Sequence, residues 1–141
     1  MPDRSAETIV RELADLESIR DLVRRYAHFV WQKDVEGAID LFSDDAVMDM
    51  GDRPAIEGRA ALLAEYEATF HLSTFKPFVH NHVIELDGDR ATGTVYLDLR
   101  ASAEGTPMAG HGFYLDRYIR TAAGWKFEYR KLTMEEYAER S

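Results

Sequence analysis

Tyrosines around one acidic side chain are the first group in this sequence whose types and spacing suit chemistry. Tyr26 lies on the apolar face of a long predicted helix, so its hydroxyl group needs a partner, a cavity or the protein surface. Tyr114, Asp116 and Tyr118 alternate along a predicted strand and share one face. Asp116 is then solvated, paired with a neighbouring arginine, or a carboxyl that lines an aromatic pocket. If Asp116 lines an aromatic pocket, the loss of solvation raises the pKa of its carboxyl. Tyr26 and Asp116 are then candidate catalytic groups that stabilise an enolate oxygen.

Histidines and one further aspartate are the candidates for moving a proton, because imidazole titrates near neutral pH. His80 and His82 share a strand face, and His111 begins a later strand. Three imidazoles could also hold zinc, but a two-residue spacing is common by chance and no helical His/Glu pair supports a metal. We therefore predict His80 as a catalytic residue, with no metal ion and no other cofactor. Asp49, which lies between two methionines, is the second candidate for the base.

Helical periodicity in the first half of the chain supplies the elements that position these residues. Apolar residues at three- and four-residue spacing predict one helix over residues 6–31. Asp34 can cap a second helix, which ends at residues 43–45 and leads to a short strand at 46–50. A loop at 51–54 and Gly58 precede a third helix, whose inner face holds Leu62, Tyr66 and Phe70.

Extended segments occupy the second half. We predict strands at residues 78–86, 91–101, 110–120 and 125–132, with a hairpin turn at 87–89, a loop at 102–107 and a loose tail after Met134. Helices followed by antiparallel strands indicate an α+β fold. We expect a cone-shaped roll, three N-terminal helices packed on a curved, mostly antiparallel sheet, because a twisted sheet curls and encloses a cavity.

Composition narrows the function further. The chain has 141 residues, which fits a single domain over 1–141, and no cysteine, which excludes a disulfide framework and a thiolate nucleophile. A formal net charge of −9 argues against nucleic acid and anionic lipid as partners. No apolar run reaches a membrane span and the first residues lack an apolar signal segment, so we expect a cytoplasmic protein with no membrane partner. Nucleophile-elbow, P-loop and dinucleotide fingerprints are absent.

Several short runs together resemble the nuclear transport factor two-like superfamily, and in particular its SnoaL-like branch. Their order and spacing cover about residues 13–132. The runs are Arg25-Tyr26-Ala27, Lys33-Asp34, Leu41-Phe42-Ser43-Asp44-Asp45-Ala46, Asp87-Gly88-Asp89-Arg90-Ala91, the alternating Gly112, Tyr114, Asp116, Tyr118 and Arg120, and Gly124-Trp125-Lys126-Phe127. The superfamily includes ketosteroid isomerases, scytalone dehydratases, polyketide cyclases and non-catalytic transport factors, so the resemblance implies the cone fold rather than one activity.

Individual positions carry the resemblance toward the ketosteroid isomerases. Tyr26 matches their oxyanion-hole tyrosine, and Asp116 matches their protonated oxyanion-hole acid. Their general base falls at Met50, one residue from Asp49, and a one-residue shift on a strand reverses the side chain.

The fit to the scytalone dehydratases is weaker. Their catalytic Asp matches Trp31, and their catalytic His falls near Pro77. His80 could replace that His only if the register of its strand shifted. Asn81 occupies a position that is often polar in SnoaL-like proteins. We expect the substrate to be bound by Trp31, Met50, Asn81, Tyr96, Tyr114 and Tyr118.

Two functions remain open. One is a cofactor-independent lyase or isomerase that acts by acid/base chemistry on a small apolar carbonyl compound, polyketide- or steroid-like, in the cone. The other is a non-catalytic module that binds a small molecule or assembles with a partner; it is favoured if the candidate acids and histidines lie outside the pocket. The resemblance, together with Val95, Leu97 and Leu99 as strand residues that need cover, also predicts a homodimer through the outer sheet face.

Overall fold

Three helices and six strands make up the protein in a computed structural model that describes residues 4–140. The helices are α1 (Ala6–Gln32), α2 (Val35–Ile39) and α3 (Arg59–Leu72). The strands are β1 (Phe42–Asp49), β2 (Ile56–Glu57), β3 (Ser73–Asp87), β4 (Arg90–Ala103), β5 (Thr106–Thr121) and β6 (Gly124–Glu139). No helix in this part of the chain combines the length and the apolar character that a bilayer crossing requires.

The six strands form one open, mixed sheet in the order β2-β1-β6-β5-β4-β3. Neighbouring strands are antiparallel except β1 and β6, which run parallel. The helices pack against the concave face of this sheet. The predicted α+β architecture, three helices on a curved and mostly antiparallel sheet, is confirmed.

Helix α1 begins and ends where its sequence predicts. The Ser5 hydroxyl accepts a hydrogen bond from the backbone N–H of Thr8, which caps the first turn. Lys33 adopts a left-handed conformation with φ of 56° and ends the helix. The buried stripe is Ile19, Leu22, Val23, Tyr26, Ala27 and Val30. Its periodicity directs Tyr26 at the sheet, so the phenol lies in the interior of the cone.

Strands are longer than the sequence predicts. Strand β1 already begins at Phe42, because α2 ends after Ile39, and β3 begins at Ser73 rather than residue 78. The expected loop at 102–107 is only a tight turn at Glu104 and Gly105. The segment after Met134 is not loose, since β6 continues to Glu139 and pairs with the first residues of β5. Pairing at the ends of strands depends on the neighbouring strand, so the local sequence gives little indication of where such a strand begins or ends.

Two glycines let β5 and β6 approach closely where the sheet bends. The pairing of these strands shifts register between His111 and Gly112. A Cβ at Gly112 would lie 2.0 Å from the Thr133 carbonyl oxygen, and one at Gly110 would lie 1.8 Å from that of Glu136. Any side chain here would push the strands apart, so the two glycines permit the irregular pairing that bends the sheet over the helices.

Val95, Leu97 and Leu99 lie on the inner face of β4, not on the outer sheet face where we expected them to need cover. Val95, Leu97 and Leu99 are buried against the helices, at most 7% exposed. They therefore do not need cover from a second copy of the chain. The outer face of the same strand carries Tyr96 and Asp98, because side chains alternate along a strand.

Candidate functional site

An apolar cavity of about 70 Å³ lies between α1, α3 and the concave face of the sheet. The residues that line it are Tyr26, Val30, Met48, Met50, Glu65, Tyr66, Thr69, Phe70, Phe75, Pro77, Leu99, Tyr114 and Leu132. An apolar protein cavity of about 150 Å³ binds benzene. This cavity therefore accepts only a small group, or the head of a larger compound whose remainder lies outside.

Three phenols are the main polar groups on its wall. The hydroxyl oxygens of Tyr26 and Tyr66 lie 2.6 Å apart, so one donates to the other and the second keeps a free O–H. The Tyr114 hydroxyl has no hydrogen-bond partner among residues 4–140. Burial raises the pKa of all three phenols above the ordinary tyrosine value. Each is therefore a neutral donor, and up to two O–H groups are available to a ligand oxygen.

A buried guanidinium lies behind these phenols. Arg130 is fully buried, and its guanidinium carbon lies 3.5 Å from the ring centre of Tyr114 and 4.5 Å from that of Tyr26. Burial acts against the charged form, but attraction to Asp116 and the neighbouring phenols keeps the pKa of Arg130 above its ordinary value. A positive charge therefore remains beneath the cavity wall, beside the rings of Tyr26 and Tyr114.

Asp116 holds this guanidinium in place. Its Oδ1 accepts from Arg130 Nε at 2.8 Å, and its Oδ2 accepts from Nη2 at 3.2 Å. Burial raises the pKa of the Asp116 carboxyl, whereas the charge of Arg130 and the bonds from Arg130 and Tyr118 lower it. Because arginine keeps its proton in proteins, we assign the pair as carboxylate and guanidinium.

Tyr118 and His82 extend this pair toward the surface. The Tyr118 hydroxyl donates to Asp116 Oδ2 at 2.8 Å, so His82 Nε2, 2.9 Å away, must donate to the Tyr118 oxygen. Burial lowers the pKa of His82 to about 4, and the charges of Arg130, Arg20 and Arg24 add to this. His82 is thus neutral at physiological pH. We call this chain of side chains, from His82 through Tyr118 and Asp116 to Arg130, the buried polar chain.

An open cleft of about 760 Å³ forms the mouth of the cavity, and five residues belong to both walls: Met50, Thr69, Phe75, Leu99 and Leu132. Glu65 also lines the cavity, and its carboxylate pairs with Arg53 of the 51–54 loop at 2.6 Å. Arg53 itself lines the mouth. A carboxylate thus lies on the cavity wall beside a loop at its entrance.

Tyr26, Met50 and Tyr114 line the cavity, whereas the other seven candidates do not: Asp49, Trp31, His80, Asn81, Tyr96, Asp116 and Tyr118. Asp49 is directed away because Met48 on β1 and Met50 just after it point into the cavity, and its carboxylate accepts from the Gly51 N–H at 2.9 Å. The side chains of Trp31, His80, Asn81 and Tyr96 are exposed. The structure therefore places Asp49, Trp31, His80, Asn81 and Tyr96 outside the cavity.

Their positions have local physical causes. His80 lies on the outer sheet face, where it contacts Asp98 at 2.7 Å. Asn81 is exposed at the register irregularity of β3, and Tyr96 follows the outward alternation of β4. Trp31 extends past the edge strand at the end of α1 and donates to the Pro77 carbonyl at 2.7 Å.

Asp116 and Tyr118 are buried as expected, but neither lines the cavity. Both carboxylate oxygens of Asp116 are engaged by Arg130 and Tyr118, so this carboxyl is not available as a second donor beside Tyr26. Arg130 lies between the carboxylate and the phenols. Tyr26 and Asp116 therefore do not contact each other directly as expected, because the Arg130 guanidinium lies between them.

Three functional candidates were missed by reasoning from sequence: Glu65, Tyr66 and Arg130. Tyr66 was predicted on the inner face of α3, and that position was the signal that its hydroxyl could meet Tyr26. Glu65 had no such signal, because it lies next to the apolar stripe of α3. Arg130 follows an aromatic run near the chain end, and its burial depends on Asp116, which is 14 residues away.

Metal-ligating groups do not cluster anywhere in the described residues. No set of three or more histidine, aspartate or glutamate side chains there is placed to hold a metal ion. His82 belongs to the buried polar chain, His80 contacts Asp98, and His111 lies 3.8 Å from Glu136.

Comparison with known proteins adds a family and several folds. The SnoaL-like domain profile matches residues 11–131. No curated protein matches the chain. An NTF2-like protein with a cystatin-like fold from Novosphingobium aromaticivorans is 24% identical, with 92% of this chain and 88% of the other covered and a TM-score of 0.79.

Two further solved structures share the fold. A candidate scytalone dehydratase from the same organism is 17% identical, with coverage of 92% and 90% and a TM-score of 0.82. A hexachlorocyclohexane dehydrochlorinase, LinA type 2, is 16% identical, with coverage of 94% and 93% and a TM-score of 0.86. At these identities the three structures establish the NTF2-like fold and no more.

Proposed function

Because the chain belongs to the SnoaL-like domain family, we propose that it is a cofactor-independent lyase or isomerase acting on a small apolar carbonyl compound, polyketide- or steroid-like. The observation that carries this proposal is the set of phenol O–H donors in an apolar cavity backed by the Arg130 guanidinium. Two of the structural neighbours are named for eliminations, a dehydratase and a dehydrochlorinase, which agrees with a lyase.

The phenols have the arrangement that an enolate requires. A carbonyl oxygen in the cavity would accept from Tyr114 and from whichever of Tyr26 and Tyr66 keeps its free proton. When a proton leaves the carbon beside the carbonyl, the C–H electron pair forms the new C=C bond and the C=O π pair moves to that oxygen. Removal of one donor of this kind costs about 2.7–4 kcal/mol of transition-state stabilisation, and Arg130 strengthens the effect because it is buried.

Glu65 is the group that would move the proton. Among the described residues that line the cavity it is the one carboxylate, and its side chain is 29% exposed. It would take the proton from carbon and return it to another carbon in an isomerisation, while in an elimination the leaving group departs as the new double bond forms. The Arg53 guanidinium contacts one Glu65 oxygen, Oε1, at 2.6 Å and so fixes the carboxylate at the cavity wall.

The test is the conversion of 3-cyclohexen-1-one to the conjugated enone, followed by absorbance, together with deuterium exchange of the ketone in D₂O by NMR. We expect Tyr66→Phe to lower kcat/KM about 100-fold and Glu65→Gln about 100-fold or more. Matched controls are Tyr129→Phe on the outer sheet face and Glu67→Gln on α3, both without effect. Absence of turnover and exchange in the wild-type protein would contradict the proposal.

A non-catalytic binding module is the second candidate. It is favoured by the position of Asp49 and His80 outside the cavity and by the engagement of Asp116 with Arg130. In that case the phenols fix the orientation of a ligand oxygen and Glu65 only closes the mouth. Saturable binding of cyclohexanone, weakened by Tyr114→Phe but without proton exchange, would identify this function.

A further inference from the structure

A second cleft, of about 570 Å³, lies outside the cavity on the outer face of the sheet. It forms where β3 and β4 pair at the edge of the sheet and where α1 and β6 end. Its main lining residues are Trp31, Phe78, Lys76, Arg100, Ser102 and Arg140. Sites for small organic ligands fall in the range of about 300–1,000 Å³, so this cleft is large enough for one.

Aromatic rings form one wall of the cleft. The Trp31 indole is fixed because its Nε1–H donates to the Pro77 carbonyl at 2.7 Å. Phe78 packs edge-on against it, with the ring centres 5.2 Å apart. Both rings are still partly open to solvent, at 38% and 40% exposed. An ordered aromatic surface of this kind favours the face or edge of another ring.

Basic side chains form the rest of the cleft. Lys76 and Arg100 are register partners on the outer faces of β3 and β4, and Lys76 Nζ lies 5.4 Å from the Trp31 ring centre. The Arg140 backbone N–H donates to the Pro107 carbonyl at 2.9 Å, which anchors the end of β6 beside them. The nearby Asp98 carboxylate is engaged by His80 at 2.7 Å.

These three cations have no acidic partner in the described residues, where no carboxylate lies within ion-pair distance of Lys76, Arg100 or Arg140. Other basic side chains, such as Arg117 and Lys131, also have no such partner among residues 4–140, but Lys76, Arg100 and Arg140 lie together in one cleft. The net charge of −9 disfavours a polyanion. The arrangement instead suits a compound with one anionic group.

We propose that this cleft is a second binding site, for a small aromatic carboxylate. The ligand ring packs against Phe78 and the open edge of Trp31. Its carboxylate accepts charge-assisted hydrogen bonds from Arg100 and Arg140, with Lys76 adding positive charge and Ser102 a hydroxyl donor. The site is separate from the cavity, so it does not depend on the lyase or isomerase proposal.

The test is a titration of the full chain with 1-naphthoate, followed by the ¹⁵N–¹H signals of the two tryptophan side chains. We expect the Trp31 Nε1–H signal to shift saturably, while that of Trp125, which donates to Asp15, stays unchanged. Arg100→Gln should weaken binding about tenfold, and added salt should weaken it further. The neutral 1-naphthalenemethanol should bind much more weakly than the acid.

Arg117→Gln is the matched control, because it removes an arginine from the same sheet face outside the cleft. Equal loss of affinity in Arg100→Gln and Arg117→Gln would mean diffuse attraction and would overturn the proposal. A Trp31 signal that does not move would also overturn it. Weakening by Tyr114→Phe but not by Arg100→Gln would place the naphthoate in the inner cavity and count against a second site.

Discussion

Arg130 is the side chain that connects the buried acid to the cavity. A charge in the interior is costly unless it is paired and hydrogen-bonded, and here Asp116 supplies both the charge and the bonds. The remaining nitrogen, Nη1, has no partner among the described residues. The aromatic faces of Tyr26, Tyr114 and Phe127 surround the guanidinium instead. Cation–π contact therefore replaces the missing hydrogen bond and directs the charge toward the phenols.

The lowered pKa of His82 predicts that the free energy of unfolding changes with pH. Its pKa is about 4 in the folded protein, against about 6.5 in an unfolded chain. The unfolded state therefore binds more protons between these values, so stability is full above pH 6.5 and falls as the pH is lowered toward 4. We expect His82→Gln to flatten this part of the profile in urea unfolding experiments at a series of pH values.

An independent measurement is the NMR titration of the His82 ring, for which we expect a midpoint near pH 4. His28→Gln on the exposed face of α1 is the control and should leave the slope unchanged. A His82 midpoint near 6.5 would be inconsistent with a buried, neutral imidazole that donates to Tyr118.

At the scale of single residues, sequence reasoning located the phenols better than the charges. Tyr26 and Tyr114 follow from helical and strand periodicity, because each periodicity states which side chains face the interior. The base candidates Asp49 and His80 lie outside the cavity, which residue type alone did not indicate because it does not state which way a strand residue points. Arg130 could not be predicted, since a buried arginine becomes acceptable only once its carboxylate partner is in place.

At the scale of elements, the buried polar chain joins β3 to β5 and β6 across β4. Tyr118 and Asp116 lie on β5, Arg130 on β6 and His82 on β3, with β4 between. The hydrogen bond between His82 and Tyr118 spans β4 at Gly93, where a Cβ would lie 2.7 Å from the Tyr118 hydroxyl. Glycine at this position thus lets a polar contact pass over the inner face of a strand.

The Asp116–Arg130 pair predicts a non-additive stability effect. Asp116→Asn leaves a buried guanidinium without its counter-charge, and loss of one partner of a buried pair costs about 3–5 kcal/mol. Replacing both residues, as in Asp116→Leu with Arg130→Met, removes the charge together with its partner. We expect the double variant to recover most of that stability in urea unfolding.

The two variants distinguish charge from packing. A single variant that loses less than about 1 kcal/mol would mean that water reaches the pair, against the full burial of both side chains. A double variant no more stable than the single one would mean that the pair contributes by its shape and hydrogen bonds rather than by balanced charge.

Element boundaries were predicted well where one face of an element is apolar. α1 and the hairpin between β3 and β4 follow from their own residues and turn chemistry. The parallel pairing of β1 with β6 and the extension of β6 to Glu139 depend on neighbouring strands. The turn at Glu104 and Gly105 looked like a longer loop because small and polar residues surround it.

At the scale of the whole molecule, the sheet separates two environments. Its concave face encloses the phenols and the buried guanidinium, and the mouth lies between the 51–54 loop and the last residues of β6. Its outer face carries the cleft lined by Lys76, Arg100 and Arg140 at one end, and apolar side chains farther along the strands. The cavity and the exposed apolar side chains therefore lie on opposite sides of the sheet.

The outer face predicts the oligomeric state of the protein. Three large apolar side chains there, away from the cleft, are open to solvent: Val83 at 57%, Tyr96 at 44% and Leu115 at 43% exposed. They lie on β3, β4 and β5, which are neighbours, and Tyr96 contacts Phe113 across the pairing with ring centres 6.2 Å apart. An apolar patch shared by three adjacent strands is typical of an interaction site.

We propose that this face pairs with its own copy, because a two-fold interface needs one self-complementary patch. Light scattering after size exclusion should give the mass of a dimer, and Leu115→Glu should shift it to a monomer by placing like charges opposite each other. Val10→Glu is the matched control, since Val10 is 63% exposed on α1, away from the sheet. Wild-type protein that elutes as a monomer at all concentrations would contradict the dimer.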